Sequence, residues 1–152
     1  MPLSQIGVKR PGPFAPDEIS TAVALSKGSM QFEDSLGVCR FNTNTNIALL
    51  TEALNAATGW DYTIEEAMDV GRRSVNLMRL FNVRHGLGPD LDRPSARYGS
   101  TPVDGPSQGN DIQPAWEGML RNYYELMGWD EWGTPLPETL QKLGLERAAA
   151  DL

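Results

Sequence analysis

The apolar positions of this chain recur at helical rather than strand spacing. Ile19, Ala22, Val23, Leu25, Ser26, Met30 and Phe32 follow a period of roughly 3.6 residues, which predicts a helix capped by Asp17 and running toward Gly37. A second helix begins near Asn46, a good N-cap, carries Leu49, Leu50, Ala53, Leu54 and Ala57, and stops at Gly59. The third has the clearest start. Thr63-Ile64-Glu65-Glu66 spells a capping box, in which a hydroxyl and a carboxylate satisfy each other's orphan amide donors. Behind it Ile64, Ala67, Met68, Gly71, Val75, Met78 and Phe81 predict one inward face of a long helix, with Arg79 and Arg84 near its negative end. A further helix starts near Pro114, carries Trp116, Met119, Leu120, Tyr123, Tyr124 and Met127, and ends at Gly128. Pro137 opens a last short one that ends at Gly144. No segment alternates as a strand does, so the expected fold class is all-α and multihelical.

Proline marks the boundaries, because it lacks the backbone donor that a helix interior requires. Pro2, Pro11, Pro13 and Pro16 fall in the first sixteen residues, and none lies between Asp17 and Gly88. The expected organisation is an irregular N-terminal arm over 1–16 and a single helical domain over 17–152. From Gly86 to Gln113 the chain is rich in Pro, Gly, Asp and Ser without periodicity, an unusually long loop for a compact domain. Gly59-Trp60-Asp61 and Gly128-Trp129-Asp130 echo each other. Each predicts a left-handed glycine with an indole folded back on the helix just ended.

Thirteen Lys and Arg against twenty Asp and Glu leave a net charge of −7 over 152 residues, which argues against a nucleic-acid partner, since phosphate binding needs a basic stripe. The longest apolar runs fall far short of the ~20 residues of a spanning helix, and the N-terminus has no signal-peptide pattern. No membrane association is expected, and a cytoplasmic location is the default. The one cysteine can form neither an internal disulfide nor a complete metal site.

The segment whose residue types suggest chemistry is Asp34-Ser35-Leu36-Gly37-Val38-Cys39. A carboxylate pairs with any ligand that presents two adjacent N–H groups, as a guanidinium or an aminopyrimidine ring does. Glycine lets backbone approach a ligand closely, and a thiolate suits an iron–sulfur cluster. The plain alternative is a helix end with a buried cysteine. Elsewhere, His85 reads as a polar cap past a helix end rather than a catalytic base. Arg72, Arg73, Arg79 and Arg84 read as a solvated face. Tyr123, Tyr124 and Trp116 read as a core stripe.

The wider spelling is more specific. Lys27 to Phe41 (KGSMQFEDSLGVCRF), Leu54 to Thr63 (LNAATGWDYT), Asn76 to Asn82 (NLMRLFN) and Tyr123 to Asp130 (YYELMGWD) occur in the order of one family. They closely resemble the C-terminal helical domain of the tungsten-containing aldehyde ferredoxin oxidoreductases, from about Lys27 to Leu145. In that family an Asp-x-x-Gly-Leu-Cys element grips one of two pterins that hold the tungsten, and its cysteine is the last of four ligands to a four-iron, four-sulfur cluster. The resemblance implies that Asp34 binds the pterin ring's donors, that Gly37 and Val38, the latter at the family's usual leucine, contact it, and that Cys39 ligates the cluster. The other three cysteines, the second pterin element and the proton-transfer residues are expected outside this chain, so the isolated chain should bind neither tungstopterin nor cluster.

Two places depart from the family. Where relatives have an Arg-x-Gly turn and then a paired acidic element, this chain reads Arg84-His85-Gly86-Leu87-Gly88-Pro89-Asp90-Leu91-Asp92, and Trp132 stands for a smaller polar residue. The resemblance implies a part of an oxidoreductase that converts aldehydes to carboxylic acids and passes electrons to ferredoxin, partnered by the family's N-terminal domains. The competing expectations are a helical interaction module that kept the fold without the chemistry, and a relative acting on a different oxo substrate. An excised domain further predicts an exposed apolar surface near Cys39.

Overall fold

The computed structural model describes residues 3–149. Its helices are α1 (Pro16–Ser26), α2 (Ser29–Ser35), α3 (Arg40–Thr43), α4 (Ile47–Thr58), α5 (Ile64–Arg84), α6 (Gln113–Met127), α7 (Pro137–Lys142) and α8 (Glu146–Ala149), preceded by a 3-10 turn at Leu3–Ile6. Among the described residues there is no β-strand, only an isolated bridge between Trp129 and Pro135.

The long first helix expected over 17–37 is two helices. Gly28 breaks it with φ +106°, and Lys27 closes α1 in an extended conformation. The break has a packing cause. A Cβ on Gly71 of α5 would overlap the Gly28 carbonyl, and one on Gly28 would come within 2.8 Å of the Met68 carbonyl oxygen. Two backbones thus touch where the α1–α2 corner crosses α5, and only glycine on both sides leaves room. Asp17 does not cap α1. Ala15 holds the N-cap position without a side-chain bond, and Pro16 opens the helix.

The caps of the middle helices follow their sequence signals. Asn46 accepts from the Leu49 amide at 3.2 Å, and Gly59 closes α4 in the left-handed region. Thr63 and Glu66 form both halves of the capping box, and the bonds from Thr63 hold the Glu66 carboxyl below its ordinary pKa. The inward face of α5 drifts from the expected stripe, however. Ala67, Met68, Gly71 and Val75 are buried, but farther along the buried residues are Asn76, Arg79 and Leu80, while Met78 and Phe81 are exposed.

Two apolar clusters result. Phe32, Ile47, Leu50, Ala67 and Met68 join α2, α4 and α5, with Ile6 of the N-terminal turn packed against them. Ala24, Val75, Tyr124, Met127 and Trp129 join α1, α5 and α6. The two Gly-Trp-Asp corners separate here. Both glycines are left-handed, yet Trp129 is buried and donates its indole N–H to Asn76 Oδ1 at 2.8 Å, whereas Trp60 stays exposed with its ring beside that of Tyr62.

Candidate functional site

The segment Asp34 to Cys39 is the turn between α2 and α3. Asp34 lies in the last turn of α2, Gly37 reverses the chain with φ +68° and open space about its Cα, and Cys39 is the extended residue that starts α3. The Gly37 amide donates to the Asp34 carbonyl at 3.1 Å, and the Cys39 carbonyl accepts from the Asn42 and Thr43 amides. The turn is therefore closed by its own backbone, leaving the side chains of Asp34, Val38 and Cys39 exposed at the surface. The buried-cysteine alternative does not hold. Val38 and Phe41, neighbours of Cys39 in the chain, are exposed apolar residues, and exposed Asp34, Ser35 and Asn42 share the same segment.

Beneath the turn lies a carboxylate that the sequence reading passed over. Glu33 is fully buried. Its Oε1 accepts from the Thr43 hydroxyl, while its Oε2 has no hydrogen bond and faces Arg40 Nε at 3.5 Å. The same guanidinium extends Nη2 to both oxygens of Asp34, at 2.9 and 3.1 Å. The signal was present in the chain. Ser29, Phe32 and Glu33 stand at i, i+3 and i+4 and share the buried face of α2, and a carboxylate on such a face requires a cation or donors nearby.

A second polar cluster forms where the long loop meets α5 and α6. Arg79, read from sequence as part of a solvated face, is buried. Its Nε donates to the Gly133 carbonyl at 2.6 Å and its Nη2 pairs with Asp92 at 2.6 Å. The guanidinium also lies 4.8 Å from the Trp129 ring centroid and 5.6 Å from that of Tyr124. The Tyr124 hydroxyl donates to Asp92 at 2.5 Å, and the Trp116 indole donates to the Asp92 carbonyl at 3.0 Å. Asp92 thus pins the loop between Gly86 and Gln113 to the helices. Burial drives the Tyr123 phenol up to about 12, and burial together with the Asp92 carboxylate drives Tyr124 up as well. Above this cluster opens a cavity of about 730 Å³ whose wall includes Lys27, Gln31, Met78, Trp116 and Tyr123. His85 takes no part. It closes α5, with its Nδ1 2.7 Å from the Phe81 carbonyl, as a polar cap does.

No three His, Cys, Asp or Glu side chains gather as a metal site among the described residues, so Cys39 stands as a single potential ligand. No helix among them is long and apolar enough to cross a membrane. The family model for aldehyde ferredoxin oxidoreductase, domains 2 and 3, matches residues 4–145. The chain belongs to the aldehyde ferredoxin oxidoreductase family. It is 38% identical to the tungsten-containing aldehyde ferredoxin oxidoreductase of Pyrococcus furiosus over 74% of its length, and 36% identical to that of Pyrococcus horikoshii over 86%. It is also 31% identical to an aliphatic sulfonate oxidoreductase, WOR-like subunit, of Pyrococcus furiosus. The chain covers about a fifth of the two aldehyde ferredoxin oxidoreductases, 19% and 22% of their respective lengths. The all-α, multihelical class expected from the periodicity is the one found.

Proposed function

We propose that this chain contributes one wall of a tungstopterin and iron–sulfur centre, as part of an oxidoreductase of the aldehyde ferredoxin oxidoreductase family. The observation that carries the reading is the α2–α3 turn. A single tight loop sets an exposed carboxylate and an exposed thiol on either side of a left-handed glycine, with an apolar rim at Val38 and Phe41. The donor set fits the groups. Asp34 offers two acceptor oxygens to the adjacent N–H groups of a pterin's aminopyrimidine ring, Gly37 leaves its surroundings clear of a side chain, Val38 supplies apolar contact, and Cys39 offers a soft thiolate as one cluster ligand. In the complete enzyme Asp34, Gly37 and Val38 would hold a pterin of the tungsten centre and Cys39 would hold the cluster, groups that would supply two-electron oxidation of an aldehyde to a carboxylic acid, with oxygen from water, and one-electron transfer to ferredoxin. This chain's own task is to hold the turn rigid, because a ligand that wanders loses both affinity and redox control. Its partners are the family's remaining domains, which supply the other cluster cysteines.

The test is to produce the chain anaerobically together with a polypeptide that carries the family's other domains, purify by a tag on this chain, and measure tungsten, iron and the visible absorption of the cluster. A complex with both metals, whose Cys39→Ser version keeps tungsten and loses cluster absorption, is the expected result. Association without either metal would reduce the chain to a helical interaction module.

A further inference from the structure

The guanidinium of Arg40 straddles two carboxylates that differ in kind. Asp34 is exposed, and its two oxygens already receive Nη2 at 2.9 and 3.1 Å. Glu33 is fully buried, and its Oε2 lies 3.5 Å from Arg40 Nε, with neither atom hydrogen-bonded. A buried carboxylate oxygen without a donor is costly, and a separation of 3.5 Å is too long to relieve that cost fully. The bond Arg40 makes is thus on the solvent side, where an ion pair is weak, and the bond it lacks is on the buried side, where a charged hydrogen bond is strong.

We propose that Arg40 is a positioning residue that holds Asp34 in reserve for the pterin and hands it over by closing onto Glu33. The inference rests on the assignment of Asp34 to a pterin ring. A guanidinium and the 2-amino-4-oxopyrimidine end of a pterin each present adjacent N–H donors, so they compete for the same two oxygens of Asp34. With Arg40 in place, the carboxylate is neutralised and its side chain is oriented outward from the last turn of α2. When the ring takes Asp34, Nη2 is released and Nε closes its gap to Glu33 Oε2, which Thr43 already steadies through Oε1. The donor bond lost at the surface is thereby replaced by one in the interior. Because Arg40 is the first residue of α3 and follows Cys39 directly, the same movement draws the start of α3 toward α2. Filling the pterin side thus tightens the backbone that carries the cluster thiol.

The handover is tested on the complex of this chain with a polypeptide that carries the family's other domains, produced in a host that makes no pterin cofactor, with tetrahydrobiopterin, a soluble reduced pterin with the same ring donors, kept free of oxygen. Arg40 Nε–H is followed by nitrogen-15 NMR in the parent chain, and affinity is measured for the parent, for Asp34→Asn, and for the double variant Glu33→Gln with Arg40→Met, which removes the competitor without stranding a buried charge. The expected result is a shift of the Arg40 Nε–H signal that saturates with the pterin, loss of binding in Asp34→Asn, and affinity about two- to fivefold tighter in the double variant, the range set by the weakness of an exposed ion pair. If Asp34→Asn loses binding but the Arg40 signal stays still, or the double variant is no tighter, the handover is wrong and the pterin assignment stands. Parent-like affinity in Asp34→Asn, or no binding by any variant, overturns the assignment and the handover together.

Discussion

Arg79 illustrates how one side chain ties distant segments together. Its guanidinium is satisfied by the Gly133 carbonyl and Asp92, and it packs between Tyr124 and Trp129. Replacing it with Met removes a partner from a mostly buried carboxylate and frees the loop that Asp92 anchors. Arg79→Met is expected to destabilise the chain by about 3–5 kcal/mol in a urea titration followed by circular dichroism. A loss within a few tenths of a kcal/mol would show that the pair is solvated. The tyrosines beside it give a second prediction. An unfolded phenol ionises near 10, whereas folded Tyr123 holds its proton to about 12 and Tyr124 is raised too. Between those values the unfolded state sheds protons that the folded state keeps, so stability is unaffected below pH 10 and falls as pH rises toward 12. Of the four tyrosines, the tyrosinate absorbance of Tyr123 and Tyr124 should emerge together with the loss of helix signal. Full ionisation of all four in a still-helical chain would contradict the burial.

Helix crossing sets the next level, and here small residues decide geometry. The α1–α2 corner meets α5 at Gly28 and Gly71, with no space for a methyl group on either. Alanine in the middle of a helix ordinarily adds up to about 1 kcal/mol relative to glycine. At Gly71 the added Cβ would strike backbone, which cannot turn aside as a side chain does. Gly71→Ala is therefore expected to lower stability by about 1–3 kcal/mol in thermal or urea unfolding, opposite in sign to its helix propensity. A stabilised variant would mean that α5 can slide away from Gly28. The same crossing fixes where α2 starts, since Gly28 is its N-cap.

For the molecule as a whole, the exposed apolar residues are informative because the chain covers only about a fifth of the relatives' length. Phe41 and Val38 flank the cysteine on an accessible surface, while the interior is assembled from two separate clusters. Phe41→Asp should leave the unfolding midpoint of the isolated chain unchanged, with an effect of about 0.5 kcal/mol or less, since the ring touches solvent on all sides. It should weaken capture of the chain by a polypeptide bearing the family's other domains. Equal capture of parent and variant would place the interface elsewhere. Much of this architecture is legible in the chain alone, because helix period, the Asn46 and Thr63 caps, the glycine stops and the Asp-x-x-Gly-x-Cys spelling are local: each depends on residues within a few turns of one another. The Gly28 break, the burial of Arg79 and Glu33, the exposure of Met78, Phe81 and Trp60, and the anchoring of the loop by Asp92 were decided by tertiary structure. They depend on which backbone crosses which and on partners as far apart as Arg79 and Gly133, which share no period and no local signal.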